Sequence, residues 1–128
     1  MEISPISTGN APKAIGPYSQ AVVLGNLIFT SGQIGIIPET GDLIKGGIEQ
    51  ETKQVLCNLK AVLETGGSSF QNVVETLIFC TNLADFNKIN TIYEEAMGAH
   101  RPARSTVQVA ALPKEAKIEI RMIAKTGE

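Results

Sequence analysis

The chain has 128 residues, of which 43% are hydrophobic and 19% charged, with a formal net charge of −2. A chain of this length buries roughly two-thirds of its unfolded surface, enough for one domain over residues 1–128 with a core that needs no staples. The acidic balance leaves no basic field to draw phosphate backbones over distance, although a locally basic groove stays open, and no apolar run approaches the ~20 residues of a membrane span.

The N-terminus has no charged segment followed by an apolar stretch, so it does not read as a secretory signal, and a cytoplasmic protein is expected. Residues 19–24 and 27–31 are β-branched and apolar with Gly25-Asn26 between them, a hairpin signal. Residues 33–37 predict a third extended piece that ends at the turn-rich Pro38-Glu39-Thr40-Gly41-Asp42. Helical periodicity follows: Ile48, Thr52, Val55, Leu56, Leu59, Val62 and Leu63 recur at threes and fours, and Gly66-Gly67 supplies the stop. Residues 73–82 predict an apolar strand. Asp85 is placed to cap a second helix over residues 86–97, with Phe86, Ile89, Tyr93 and Met97 on one face and Gly98 at its end. Strands over residues 103–110 and 117–125 complete the order β-β-β-α-β-α-β-β.

That order is an α+β class in which two helices, each with one apolar stripe, cover one face of a mixed sheet. In the last strand Ile118, Ile120, Met122 and Ala124 point one way and Glu119, Arg121, Ile123 and Lys125 the other. The second face is therefore half polar, and self-association into a closed ring is the economical way to cover it. The pattern alone leaves the number of subunits open.

Few residues offer chemistry. Cys57 and Cys80 sit in no metal or redox spacing, and buried free thiols are the expectation. Arg104 follows Pro102-Ala103 at a strand start, and its rigid donor fork suits a small carboxylate. Glu119 lies inside the next strand, where a carboxylate can hold and deprotonate a water. Taken singly, each is equally a solvated or ion-paired surface residue. Because consecutive strands are usually neighbours, the two are expected to share a face. Tyr18, after Gly16-Pro17, is either a ligand-facing phenol or a core aromatic; Asn90, mid-helix, is either solvated or turned toward a pocket. Ser31-Gly32-Gln33 is a strand end where glycine allows close backbone approach. His100, the single histidine, reads as a surface loop residue with no metal-binding neighbours.

Ile15-Gly16-Pro17-Tyr18-Ser19-Gln20, then Ser31-Gly32-Gln33-Ile34, then Arg101-Pro102-Ala103-Arg104-Ser105-Thr106-Val107 with Leu112-Pro113-Lys114 and Lys117-Ile118-Glu119-Ile120, form three separated motifs in order. Over nearly its whole length the chain resembles the Rid family of enamine/imine deaminases (the RidA/YjgF group). The resemblance implies a homotrimer with a chorismate-mutase-like barrel core. It implies that Arg104 binds the substrate carboxylate across a subunit interface and that Glu119 positions the hydrolytic water. Tyr18 and Asn90 would line the pocket, backbone groups at Thr106 would meet the imine nitrogen, and Ser31 and Gly32 count with the substrate-binding residues. The implied substrates are 2-imino acids such as 2-iminopropanoate and 2-iminobutanoate, hydrolysed to 2-keto acids and ammonia with no cofactor and no metal.

An arginine beside Glu119 would pull its pKa down and weaken it as a base. Thr106 stands where many members have cysteine, Arg121 replaces a common acidic residue, Gly35 a common proline, and the connection from Tyr93 to Arg104 is a few residues short; these bear on substrate range more than on reaction type. Two other readings remain. Some members are described as ribonucleases or inhibitors of translation, yet one histidine and an acidic balance supply neither an acid/base pair nor phosphate contacts, so nucleic acid is not the expected partner. A non-enzymatic carboxylate-binding trimer is the third, and Glu119 argues against it, since binding an acid gains nothing from a nearby carboxylate.

Overall fold

The computed structural model describes residues 1–127. Its strands are β1 (Ile3–Ile6), β2 (Ala21–Leu24), β3 (Leu27–Thr30), β4 (Val73–Cys80), β5 (Ala103–Gln108) and β6 (Ile118–Lys125), and its helices are α1 (Gly47–Thr65) and α2 (Phe86–Met97). They form one sheet in the order β1-β2-β3-β6-β4-β5. Every pair is antiparallel except β4 and β5, which α2 joins as a parallel crossover.

The alternation read in the last strand holds: Ile118, Ile120, Met122 and Ala124 are buried beneath the helices together with Ile28, Ile78 and Cys80. From α1 the periodic set Ile48, Thr52, Val55, Leu56, Leu59, Val62 and Leu63 is buried as one stripe. The helix stops as expected. Gly67 is left-handed (φ 80°), Gly67 N–H donates to Glu64 O at 3.0 Å, and Ser68 N–H donates to Leu63 O at 2.8 Å, the paired bonds of a Schellman ending.

Three local expectations are corrected. Residues 33–37 are not a strand; they make single bridges, Gln33 to Ile120 and Ile36 to Leu43. On that edge of β6, β3 pairs only with residues 123–125, and Gln33 extends the pairing by a single bridge at Ile120 before the segment turns away. The segment's carbonyls turn instead to α1, where Asn58 Nδ2 donates to Ile34 O and Ile36 O at 3.3 and 2.9 Å. Gly35 permits that approach, since a Cβ there would lie 3.1 Å from Glu51 Cα. The third strand of the opening set is β1, whose Pro5 is tolerated because β1 is an edge. The cap of α2 also moves: Asp85 makes no side-chain cap bond, and Asn82 accepts from Ala84 N–H at 2.9 Å across a short 3-10 turn (Leu83–Asp85).

Of the cysteines, Cys80 is buried, and burial pushes its thiol up from the ordinary value. Cys57 is exposed, contrary to expectation, because it falls on the outer side of the α1 stripe. No helix among the described residues is long and apolar enough to cross a membrane. On the sheet face away from the helices Phe29, Leu77, Phe79 and Ile123 are half-buried beside Glu119, with Val107 exposed and no helix among the described residues over them.

Candidate active site

Arg104 and Thr106 face the helices. In the parallel ladder they stand opposite Thr76 and Ile78, both wholly buried under α1 and α2. The Arg104 guanidinium carbon lies 5.1 Å from the centre of the Tyr93 ring and 5.6 Å from that of Phe86. Tyr93 is itself held, its hydroxyl donating to Thr76 Oγ1 at 2.8 Å. Burial pushes the Tyr93 phenol up, with Thr76 and then the nearby arginines opposing. Asn90, Glu94, Arg101 and Pro102 complete a cleft of about 330 Å³ around Arg104 and Tyr93. At its rim Arg101 pairs with Glu94 at 3.0 Å and donates to the carbonyls of Gly98 and His100, closing the end of α2. Among the described residues Arg104 makes no ion pair of its own. Asn90 Oδ1 and Thr106 Oγ1 are buried without a hydrogen-bond partner. Buried polar atoms normally find partners, and these two are exceptions among the described residues.

Glu119 faces the other way. Its ladder partner is Phe79, while its neighbours Ile118 and Ile120 are buried beneath the helices. The start of β6 is fixed by the buried Glu51, whose Oε1 accepts from Lys117 N–H at 2.8 Å. The Glu119 carboxylate lies against Gly32, where any Cβ would overlap it; this close approach is what Gly32 is for. Reciprocal bonds between Gln33 and Ile120, at 2.9 and 3.1 Å, hold Gly32 there. Glu119 forms part of a cleft of about 480 Å³ that also includes Tyr18, Gly32, Ile34, Pro113 and Lys114. Tyr18 is 52% exposed, on a tight turn closed by its N–H to Gly16 O at 2.8 Å. Ser31 Oγ donates to Ser19 O at 2.6 Å, so its hydroxyl anchors the loop that carries Tyr18. On the opposite rim Lys114 and Glu115 are both left-handed (φ 57° and 59°), a strained conformation that costs about 1–3 kcal/mol per residue.

The expectation that Arg104 and Glu119 share a face is therefore corrected. β4 lies between β5 and β6, and the two side chains project from opposite faces of the sheet. Consecutive in sequence, the strands are not neighbours, because β6 inserts between β3 and β4. The lowering of the Glu119 pKa by Arg104 does not operate within one chain either: burial raises the carboxyl above its usual range. The seven sequence-derived residues fall into two groups, Arg104, Asn90 and Thr106 on the helix side and Glu119, Tyr18, Gly32 and Ser31 around the opposite cleft. Two residues escaped sequence reasoning, Tyr93 and Phe86. Their signal was the seven-residue spacing of two aromatics that bracket Asn90 on one helix.

His100 is placed structurally, with Nε2 donating to Val73 O at 2.7 Å. No grouping of three or more His, Cys, Asp or Glu side chains able to hold a metal occurs among the described residues.

A family model described as endoribonuclease L-PSP matches residues 8–126. The 2-iminobutanoate/2-iminopropanoate deaminase of Homo sapiens is 48% identical over 122 residues, 95% of this chain and 89% of that protein. A Rid-family protein from Yersinia pestis, YyfA, superposes with a TM-score of 0.95 at 48% identity, covering 98% of this chain and 100% of the other. E. coli TdcF with bound serine superposes with a TM-score of 0.91 at 42% identity, covering 97% and 99%.

Proposed function

The chain belongs to the Rid family, whose model carries the endoribonuclease L-PSP description, and from that premise we propose that it hydrolyses 2-imino acids in a pocket shared by two chains of a homotrimer. The observation that carries the shared pocket is the opposition of Arg104 and Glu119 across a sheet one layer thick. One chain cannot bring both to a molecule of a few atoms. A neighbour whose Arg104 side meets the Glu119 side of the first can, and a ring of three such contacts covers the half-polar faces. The serine bound to TdcF, which carries a carboxylate, supports a small acid as ligand.

The chemistry balances without oxidant or cofactor. Arg104 holds the substrate carboxylate by its two-pronged edge, which fixes the C=N carbon beside a water on the neighbour's Glu119. As the water oxygen bonds to that carbon, Glu119 takes its proton and the C=N pair moves onto nitrogen. Glu119 returns that proton to nitrogen to give the neutral carbinolamine. It then takes the hydroxyl proton and passes it to nitrogen as the C–N bond breaks, so that the carbonyl forms and ammonia leaves. Asn90 lines the pocket, and backbone groups at Thr106 meet the imine nitrogen. For 2-iminobutanoate the products are 2-ketobutyrate and ammonia; for 2-iminopropanoate, pyruvate and ammonia. A cytoplasmic setting and one domain per chain belong to the same reading.

The test is ammonia release from enzymatically generated 2-iminopropanoate and 2-iminobutanoate. The protein is expected to accelerate release above the spontaneous rate, and His100→Ala to match it, because His100 serves only the Val73 carbonyl. Release no faster than the spontaneous rate would refute the reading. RNA cleavage by the pure protein that His100→Ala abolishes would put the ribonuclease reading ahead.

A pH profile tests the shared pocket. Burial raises the Glu119 carboxyl, and a neighbour's Arg104 opposes that shift. Removing the guanidinium leaves burial unopposed, so Glu119 takes up its proton at higher pH and the base is lost sooner as pH falls. The acid limb of kcat/KM is expected to move to higher pH in Arg104→Ala. A limb that stays in place would mean that no guanidinium approaches Glu119.

A further inference from the structure

Resting on the reading of Arg104 as carboxylate anchor, we propose that Tyr93 and Phe86 form an aromatic slot that sets the plane of the Arg104 guanidinium, making Tyr93 a positioning residue for substrate capture. The two rings are seven residues apart on α2, so they stand about two turns apart on one stripe. The guanidinium carbon lies 5.1 Å from one ring centre and 5.6 Å from the other, both inside the roughly 6 Å reach of a cation–π contact. Rings take a guanidinium by its faces and leave its N–H edges in the plane between them. A counter-ion would occupy those edges, and among the described residues Arg104 pairs with none.

What keeps the slot rigid is Thr76. It is 0% exposed, stands directly across the ladder from Arg104, and accepts the Tyr93 hydroxyl at 2.8 Å. Helix α2 and strands β4 and β5 are thereby tied at the point where the anchor leaves the sheet. The slot thus prepays the ordering of a long side chain that would otherwise be frozen by the ligand. A lysine has no plane to be set, so the benefit is specific to arginine.

The experiment measures calorimetric affinity for 2-ketobutyrate and steady-state imine hydrolysis in the assembled protein. Tyr93→Leu is expected to weaken keto-acid binding about tenfold and to raise KM in step, with the loss in KM rather than kcat. Tyr93→Phe, which keeps the ring and gives up the Thr76 bond, should lose no more than about threefold, and Phe86→Leu about threefold. In an Arg104→Lys background the Tyr93→Leu step should shrink to less than about twofold, a coupling that a merely structural role would not produce. Binding by Tyr93→Leu equal to the wild type, a loss confined to kcat, or the same factor lost in the Arg104→Lys background would each overturn the proposal. If Tyr93→Leu does not fold, Phe86→Leu decides, since Phe86 is 37% exposed and tolerates truncation; wild-type binding by that variant overturns it. Arg104→Ala separates the two levels. If it binds the keto acid normally, the anchor itself is wrong; if it loses binding while the slot variants keep it, only the slot fails.

Discussion

Arg104→Ala is expected to lose about 30-fold to several thousand-fold in kcat/KM for imine hydrolysis, the equivalent of removing the cationic partner of a largely buried carboxylate. The loss should sit in substrate capture, because Arg104 touches the acid end of the molecule and not the C=N carbon. Its guanidinium lies in a cleft that also contains Asn90 and Tyr93, where water screening is weaker than at open surface. Arg104→Lys should recover only part of the loss. A point charge restores attraction without the in-plane pair of donors, and it gives up stacking against Phe86 and Tyr93. Calorimetric titration with pyruvate or 2-ketobutyrate checks this directly: wild-type affinity in Arg104→Ala would remove Arg104 as the anchor.

Glu119→Gln should behave in the opposite way. The amide is nearly the size of the carboxylate and fits against Gly32, so the cleft and the binding of an unreactive 2-keto acid are expected to survive. Turnover is expected to fall about 10²- to 10⁴-fold, the usual contribution of a positioned general base. Burial raises the pKa of the half-buried Glu119 carboxyl, which strengthens it as a base once it is ionised, and the neighbour's Arg104 opposes that shift and keeps it ionised. Wild-type turnover in Glu119→Gln would make Glu119 structural and leave the water to another group.

What was legible in the sequence was what depends on local periodicity. The α1 stripe from Ile48 to Leu63 and the alternation of β6 follow from repeats of three to four and of two and reappear as burial, while the Gly66-Gly67 ending reappears in the bonds of Gly67 and Ser68. Residues 33–37 read as a strand because they are apolar and β-branched, but after the Gln33–Ile120 bridge the segment leaves β6, and its Ile34 and Ile36 carbonyls accept from Asn58 on α1 instead. Tertiary competition of that kind leaves no local mark. The partition of the site has the same origin. Arg104 and Glu119 were recognised by residue type and motif, whereas their placement on opposite faces depends on the pairing register, which sets Arg104 beside the buried Thr76 and Glu119 beside Phe79. Tyr93 looked like any core aromatic on an apolar stripe, and only the ladder position of Thr76 turns it into a support for Arg104.

The sharing of one pocket by two chains is tested most directly by mixing two disabled proteins. Arg104→Ala and Glu119→Gln chains, each nearly inactive alone, are unfolded together, refolded at equal concentration and assayed for imine hydrolysis. In any mixed ring of three, one contact joins an intact Arg104 to an intact Glu119, so random mixing restores roughly a quarter of the wild-type sites. Light scattering of the same sample should show trimers. Recovery near that fraction is the expected result; activity no greater than the sum of the two variants measured separately, in a sample that contains mixed trimers, would contradict a pocket built across chains.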